Sequence, residues 1–256
     1  MSSVSNKHIS NREAVPVFET DIFADEQDKR FALGIFDSSS LGRYSHSSVL
    51  YNYLKLRSNV YINQTGMLPE SSRRLDNTEL DVDDERSVHL VVLENKIGKA
   101  ALFACMRLIE KKTSPLPIEN YFPESFDIEA PVNSVEVSRF IVRHEQIRAG
   151  LMVKKDLMAA GLAHVLKGDG LIYGVVEPSF ERDLKIMKIP TRRIAEPRFV
   201  AEYNDYNLGL EIDRDSLRLR LGEGAINRFN MPMDSYVYWG ALSSDPQGDK
   251  DNERKM

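Results

Sequence analysis

The chain has 256 residues, of which 42% are hydrophobic and 29% are charged, and its formal net charge is −5. This composition is typical of a globular domain, and the acidic balance argues against a general nucleic-acid binder, which usually has a strongly basic face. A single cysteine, Cys105, excludes an internal disulfide, and the five histidines lack metal-ligand spacing, so we expect no bound metal.

Residues 1–45 are polar and rich in serine, which indicates a partly disordered leader with one short strand near 30–36. The first residues lack the apolar core of a signal peptide. No apolar run approaches the ~18 residues of a membrane span. We therefore expect a cytoplasmic protein without a transmembrane segment.

Residues 46–215 alternate between helical and extended patterns. Helices are predicted at 49–61, 150–167 and 179–187, and strands at 89–93, 100–109, 135–142, 171–176, 199–210 and 217–221. A hairpin followed by strand–helix–strand crossovers predicts an α/β (α+β) fold, with helices covering a mixed sheet. Residues 216–256 form a predicted C-terminal extension, whose charged end at 243–256 we expect to be disordered.

The predicted strand at 135–142 carries charges inside an apolar run. A buried carboxylate or guanidinium is costly unless it is paired or has a chemical task. The period of two places Glu136 and Ser138 on one face of the strand and Arg139 on the other. A carboxylate on the inner face suits an enzyme that removes a proton from an amine. The alternative is a structural ion pair between Glu136 and Arg107 or Arg139.

Three further charged patterns precede this strand. They are Arg57 with Tyr61 on one face of a helical turn, Glu79, Asp81 and Asp84 in an acidic loop, and Arg107 in an apolar strand. Each has a structural alternative, namely an exposed helix charge, a solvated loop and a residue at the sheet rim. The acidic loop lacks the glycine of a calcium-binding loop.

Taken in order, these residues resemble the acyl-homoserine-lactone (autoinducer) synthase family. This branch of the GNAT-type N-acyltransferases is close to the N-acyl amino acid synthases and the exosortase-associated acyltransferases. The matching positions, spread over about residues 50–206, are Arg57, Tyr61, Glu79, Asp81, Asp84, Arg107, Phe122, Glu136, Ser138, Arg139 and Phe140. The resemblance implies a GNAT-like sheet in one domain, at 46–215, and transfer of a fatty acyl group from a thioester to an amine.

The resemblance also implies roles for these residues. An amine is protonated near neutral pH, so a base must deprotonate it, and Glu136 is our candidate. Arg57, Asp81 and Asp84 complete the expected catalytic set by orienting an acceptor that carries both a carboxylate and a cationic group. We expect a backbone N–H after Phe140 to hold the oxyanion. Substrate binding is expected at Tyr61, Met67, Arg107, Phe122, Ser138, Arg139 and Phe140.

Two positions depart from the family pattern. Tyr61 stands where the family usually has phenylalanine, and Met67 where it usually has tryptophan. Both belong to the region that shapes the acceptor pocket, so they favour a plain N-acyl amino acid as the product. The first alternative is an acyl-homoserine lactone made from S-adenosylmethionine. An alternative of another class is a non-catalytic module that binds a lipid or a carrier protein, and the retained Glu136 argues against it.

The turn after residue 142 favours acyl carrier protein as the acyl donor. Acetyl-CoA-dependent GNAT enzymes hold the pyrophosphate with a glycine-rich turn, but here only Gly150 is present. Basic side chains that would dock the acidic carrier protein gather instead at Arg143, Arg148, Lys154 and Lys155. Acyl-CoA is the alternative donor, and an ordinary solvated helix start is the structural alternative. No bound cofactor is expected.

Overall fold

The computed structural model describes residues 17–18, 25, 29–41, 49–96, 99–126, 128–143, 147–229 and 232–241. The disorder expected in parts of 1–45 and in 243–256 falls on residues outside this set. One mixed sheet runs through the described residues, as the sequence predicts. Its strands are β1 (Val17–Phe18), β2 (Lys29–Asp37), β3 (Ser87–Lys96), β4 (Lys99–Glu110), β5 (Val135–Val142), β6 (Ile172–Val176), β7 (Thr191–Val200), β8 (Asp205–Ile212) and β9 (Ser235–Ala241).

The strand order is β7-β8-β6-β5-β4-β3-β2-β9, and β1 pairs with β4 outside this path. Helices lie on both faces of the sheet. They are α1 (Ser38–Leu41), α2 (Val49–Ser58), α3 (Pro117–Tyr121), α4 (Ile147–Val165), α5 (Pro178–Ile186) and α6 (Arg214–Arg228). Among the described residues, no helix is both long and apolar enough to cross a membrane.

The central strands are apolar on both faces because each face is covered. Leu33 and Ile35 of β2 pack in the cluster that includes α4, whereas Ala32 and Phe36 pack in the cluster that includes α2. Such doubly covered strands have continuous apolar sequences rather than alternating ones. β2 lies in the predicted leader and β9 in the predicted C-terminal extension, and both are strands of this one sheet.

Two predicted strands were wrong. Residues 199–210 form a hairpin rather than one strand, because the chain reverses at Asn204, whose φ is 48°.

Residues 217–221, the second wrongly predicted strand, lie in α6. Leu217 is buried there while Leu219 is 85% exposed. The leucines at every second position imitate a strand, but Leu217 and Leu221 are one helical turn apart and share the buried face.

The parallel strands β5 and β6 are paired over only part of their length. The two strands pair at Val135 with Ile172, at Glu136 with Tyr173 and at Val137 with Gly174. Beyond these positions β5 continues along β4, and β6 continues along β8. The sheet therefore has a gap between the two strands.

Candidate active site

A β-bulge interrupts β5 beside this gap. The register against β4 shifts by one residue between Ser138 and Ile141, so Arg139 and Phe140 together lie opposite Met106. Arg139 has a φ of 51°, which is uncommon for a residue other than glycine. The extra residue breaks the period of two and turns Arg139 to the face that carries Ser138. The prediction that Arg139 faces the opposite side was therefore wrong.

The face of the sheet that α2 covers holds a closed ring of six alternating charges. Each of its three guanidinium groups contacts two of its three carboxylates. In order around the ring, the members are Arg57, Asp84, Arg107, Asp81, Arg139 and Glu79. Charges buried in this way are tolerated because each has partners of the opposite sign.

Arg57 forms the most buried part of the ring. It is 0% exposed, and its Nη1 and Nη2 atoms donate to the two oxygens of Asp84 at 2.6 and 2.9 Å. Its Nε also donates to Glu79. Burial raises the pKa of Glu79, but the guanidinium groups of Arg57 and Arg139 outweigh this effect and lower that pKa to about 2.

Asp81 closes the ring from the acidic loop. Its oxygens accept hydrogen bonds from Arg107 at 2.6 Å and from Arg139 at 3.0 Å. It also caps the short turn Val82–Arg86, while Asp84 accepts the N–H of Asp81 at 2.8 Å. The side chain of Asp81 is 31% exposed, which makes it the most accessible carboxylate of the three.

Glu136 lies outside the ring and is 0% exposed. Its Oε2 atom accepts the N–H of Ile118 at 2.8 Å, and its Oε1 atom has no hydrogen-bond partner among the described residues. Arg107 and Arg139 bind the ring carboxylates instead, so the alternative of a structural ion pair with Glu136 is not formed. Burial raises the pKa of Glu136 to about 8, although the N–H of Ile118 and the charge of Arg107 act in the opposite direction.

A cavity of about 230 Å³ occupies the gap between β5 and β6. On the face that α4 covers, its lining is mostly apolar and includes Phe140, Met158, Phe180, Leu184 and Leu210. Asp183 of α5 is a charged residue of the same lining. On the other face it is lined by Tyr61, Met67, Ser138 and Arg139. The cavity therefore passes through the sheet, joining an apolar pocket to the edge of the charged ring.

Five of the seven predicted binding residues line the cavity. They are Tyr61, Met67, Ser138, Arg139 and Phe140. Arg107 belongs to the ring instead. Phe122 is buried in the cluster around α3, where Arg198 lies 4.6 Å above its ring, so it does not line the cavity.

The predicted docking cluster does not form one exposed surface. Arg143 is buried, at 7% exposure. Lys154 pairs with Asp183 and lies 4.9 Å from the centre of the Phe180 ring. Lys155 is exposed. The side chain of Arg148 lies outside the described part of the structure.

Sequence reasoning missed several cavity residues. Tyr173 and Asn207 come from β6 and β8, and Tyr203 comes from the turn between β7 and β8. No local pattern marks them, because they reach the cavity only through the strand order. Within the described residues, no group of three or more His, Cys, Asp or Glu side chains is arranged to hold a metal ion.

Comparisons with known proteins agree with this architecture. BjaI, described as a CoA-dependent acyl-homoserine lactone synthase and solved with SAM and isopentyl-CoA, shares 21% identity at a TM-score of 0.57, covering 80% of this chain and 92% of that one. The AHL synthase LasI shares 21% identity at a TM-score of 0.53, with coverages of 73% and 91%. TofI, solved with an inhibitor and MTA, shares 23% identity at a TM-score of 0.51, with coverages of 68% and 87%.

These identities establish a shared fold. No match to the chain was found among curated protein sequences. The sequence model of the family described as "Autoinducer synthase" matches residues 46–219, which is more than half of the chain. This match confirms the resemblance that the sequence pattern indicated. The chain is therefore a member of the autoinducer synthase family, and it is an acyltransferase.

Proposed function

We propose that the chain transfers an acyl group from a thioester to the α-amine of S-adenosylmethionine and so makes an acyl-homoserine lactone. The observation that carries this proposal is the cavity through the sheet, which is mostly apolar on one face and meets charged groups on the other. An acyl thioester and a charged amine can meet there. Family membership and the SAM-bound relative support this product over the N-acyl amino acid that the sequence favoured.

The acyl chain would occupy the apolar part of the cavity, beside Phe140, Met158 and Leu184. This places the thioester carbonyl near the bulge at Arg139 and Phe140. A bulge leaves backbone groups without partners in the strand ladder. We assign the oxyanion contact to such a backbone N–H near Phe140, since the charge that develops on the carbonyl oxygen needs a preformed donor.

Glu136 would act as the base. The acceptor enters as an ammonium ion, which has no free electron pair, and a carboxylate with a pKa of about 8 is matched to its deprotonation near neutral pH. The neutral amine then attacks the carbonyl carbon, a C–N bond forms, and the C–S bond breaks. The second proton of the nitrogen leaves with the thiolate as a thiol.

The ring would hold the acceptor rather than react with it. Arg57 and Asp84 satisfy each other deep in the protein, so we assign them a supporting role. Asp81 and Arg139 are the members placed to meet a substrate, because one is partly exposed and the other lines the cavity. A carboxylate beside a guanidinium suits an acceptor that has both an ammonium and a carboxylate.

The acceptor decides the final product. S-adenosylmethionine carries a sulfonium leaving group, so the carboxylate of the acylated product can attack the carbon next to sulfur. A C–O bond then forms, a C–S bond breaks, and a lactone and methylthioadenosine result. A plain amino acid stops at the amide. This second candidate product is favoured by Tyr61 and Met67, the two departures from the family pattern, because both line the cavity.

We propose acyl carrier protein as the donor. Support comes from the exposed cations Lys155 of α4 and Arg182 and Lys185 of α5, because these two helices also wall the cavity. We assign the docking role to these three cations instead of Arg143, whose side chain is buried. Acyl-CoA is the alternative donor, and the CoA-dependent relative supports it.

Purified protein supplied with a series of acyl-carrier and acyl-CoA thioesters tests the proposal. Parallel reactions receive S-adenosylmethionine or a mixture of amino acids, and mass spectrometry identifies the products. We expect a lactone and methylthioadenosine in equal amounts. An N-acyl amino acid without lactone would establish the second candidate instead. Absence of any amide with all of these substrates would overturn the acyl-transfer proposal.

A further inference from the structure

The carboxylate of Glu136 has one hydrogen-bond partner within the part of the chain that the structure describes. The N–H of Ile118 donates to its Oε2 atom at 2.8 Å, and its Oε1 atom has no partner there. A hydrogen bond to a carboxylate stabilises the charged form of that group. The position of Ile118 therefore influences how readily Glu136 loses its proton.

Ile118 lies in the connection between β4 and β5, which spans residues 111–134. The helix α3 within this connection has five residues, and a helix of that length is not stable by itself. Long connections between strands have few regular contacts to fix them. The contacts that hold α3 in place therefore determine whether the N–H of Ile118 reaches Glu136.

A buried ion pair holds this connection. Nζ of Lys111 donates to the two oxygens of Glu119 at 2.7 and 2.9 Å, and the two residues are 4% and 8% exposed. The carboxylate of Glu119 also accepts the N–H of Leu116 at 2.6 Å and the N–H of Ala130 at 2.8 Å. Leu116 precedes α3 and Ala130 follows it. Because Lys111 comes directly after β4, the pair ties both flanks of α3 to the end of that strand.

This ion pair is better suited to positioning than to stability. Two buried charges lose their hydration, and an apolar pair of similar size often stabilises a fold equally well. The carboxylate of Glu119 instead collects directed hydrogen bonds from one ammonium and two N–H groups. Burial raises the pKa of Glu119, but these hydrogen bonds outweigh burial and lower that pKa, so the group stays charged near neutral pH.

We propose that Lys111 and Glu119 hold the N–H of Ile118 against Oε2 of Glu136 and are thus positioning residues for the base. This inference rests on the proposed function, in which Glu136 takes a proton from the acceptor. Neither Lys111 nor Glu119 is among the residues that line the cavity. They act on the reaction through Glu136, because a larger share of this carboxylate is ionised at a given pH when the N–H is in place.

The groups around Glu136 that carry or can gain a charge come from several elements. They are Arg107 of β4, Arg139 of β5, Asp83 in the turn before β3, Tyr121 of α3, Tyr173 of β6 and Tyr203 of the turn Ala201–Tyr203. Burial is the main cause that raises the pKa of the three phenols, so they are neutral near neutral pH. All six groups are the same in the wild type and in variants of Glu119, so their effects cancel in the comparison.

The substitution Glu119→Ala removes the acceptor of both flanking N–H groups and releases α3. Since Glu136 then loses a hydrogen bond to its charged form, the midpoint of the kcat–pH profile for thiol release should rise by about one unit. The ratio of wild-type to variant kcat should be about ten at pH 7 and about two at pH 9, with the KM for the acceptor unchanged.

Two further variants separate position from charge. Glu119→Gln loses the same charge as Glu119→Ala, but its amide oxygen can still accept one of the two N–H groups, so we expect a smaller rise of the midpoint. Loss of the charge alone would lower the midpoint, because it removes a repulsion from Glu136. The matched control is Glu129→Ala. Glu129 also pairs with Lys111, at 3.3 Å, but its side chain is 85% exposed, and the midpoint should not change.

A midpoint that stays or falls in Glu119→Ala would overturn the positioning role. A loss of kcat of equal size at every pH would also overturn it, because it would show a structural role alone. If Glu119→Ala does not fold, as judged by its thermal melting, Glu119→Asp takes its place. This variant keeps the charge but is too short to reach both N–H groups, so a smaller rise is expected, and no rise would overturn the proposal.

NMR spectroscopy tests the contact without the reaction. The amide proton of Ile118 should shift as Glu136 ionises, with a midpoint at about pH 8 in the wild type. We expect this shift to be lost in Glu119→Ala and kept in Glu129→Ala. An equal shift in all three proteins would overturn the positioning role. Absence of thiol release by a wild type that shows the expected shift would sink the proposed function instead, which separates the two failures.

Discussion

Arg139 donates a hydrogen bond to Asp81 at 3.0 Å, and the bulge in β5 makes this contact possible. In a regular strand the guanidinium of Arg139 would point to the opposite face, away from the acidic loop. The contact closes the ring of six charges and leaves Arg139 on the cavity wall. One irregularity in a strand thus connects the buried charges to the place where a substrate can bind.

The ring makes Arg57 a stability determinant. Its removal leaves Asp84 and Glu79 buried with fewer partners, and an uncompensated buried charge costs about 3–5 kcal/mol. We predict that Arg57→Ala lowers the free energy of unfolding by this amount, as measured by urea denaturation. The control is Arg192→Ala, because Arg192 is 69% exposed and pairs with Glu211 at the surface. That change should cost less than about 1 kcal/mol. Equal effects of the two changes would show that the ring does not stabilise the fold.

The position of Glu136 predicts a kinetic effect without loss of fold. Glu136→Gln keeps the shape and the contact with the N–H of Ile118 but removes the base. We expect kcat to fall by about 10²–10⁴ with little change in KM. In the wild type, kcat should rise with pH through about 8 as Glu136 ionises. Stopped-flow measurement of thiol release across pH tests both points, and a variant that keeps the wild-type profile would remove Glu136 from the mechanism.

The same residue predicts the pH dependence of stability. The pKa of Glu136 is raised from 4.5 to about 8 by folding, so between these values the folded state binds the proton that the unfolded state has lost. Its contribution is therefore fully present below pH 4.5 and is lost as the pH rises through about 8. Glu79 behaves in the opposite way. Folding lowers its pKa from 4.5 to about 2, so its contribution to stability is present above pH 4.5 and is lost as the pH falls through about 2.

Glu136→Gln isolates the contribution of Glu136 to the pH dependence of stability, since the contributions of the other groups cancel in a comparison with the wild type. We expect the wild type to lose free energy of unfolding relative to the variant from about pH 4.5 to 8. Urea denaturation at several pH values gives this difference. A difference that does not change with pH would mean that Glu136 ionises normally in the folded protein.

How far the sequence predicts this site depends on how local each feature is. The charges of the ring were found from their order along the chain. We expected Arg107 and Arg139 to join the carboxylates of the strand and the loop in a network, and they do. The face on which Arg139 lies was not predicted, because it requires the bulge at Arg139, which the apolar pattern of β5 does not mark. Tyr203 was missed for a related reason. It reaches the cavity from a turn distant in sequence, and only the order β8-β6-β5 brings that turn to the gap between β5 and β6.

The fold was also predicted best where the sequence pattern is long. Strands and helices in which the spacing of apolar residues stays consistent along the element were predicted with the correct type. The leucines of 217–221 were assigned to a strand because five residues do not separate a period of two from one helical face. The hairpin of β7 and β8 was merged because its turn has no glycine or proline, and Asn204 alone takes the left-handed conformation.

The apolar part of the cavity predicts selectivity for acyl chains. Met158 lines it from α4, so Met158→Trp should fill space that a long chain needs. We expect kcat/KM for long acyl thioesters to fall at least tenfold while short ones react nearly normally, at a stability cost of about 1–3 kcal/mol from overpacking. Met152→Trp is the control, because Met152 lies on the same helix and is 40% exposed. An equal loss for short and long chains would place the acyl group elsewhere.

The product that cells make from labelled methionine identifies the acceptor most directly. Cells that express the chain are grown with ¹³C-labelled methionine, and their organic extracts are analysed by mass spectrometry. Acylation of S-adenosylmethionine predicts an acyl-homoserine lactone with the label in its ring, absent from cells that express Glu136→Gln. An N-acyl amino acid with no labelled lactone would contradict the account.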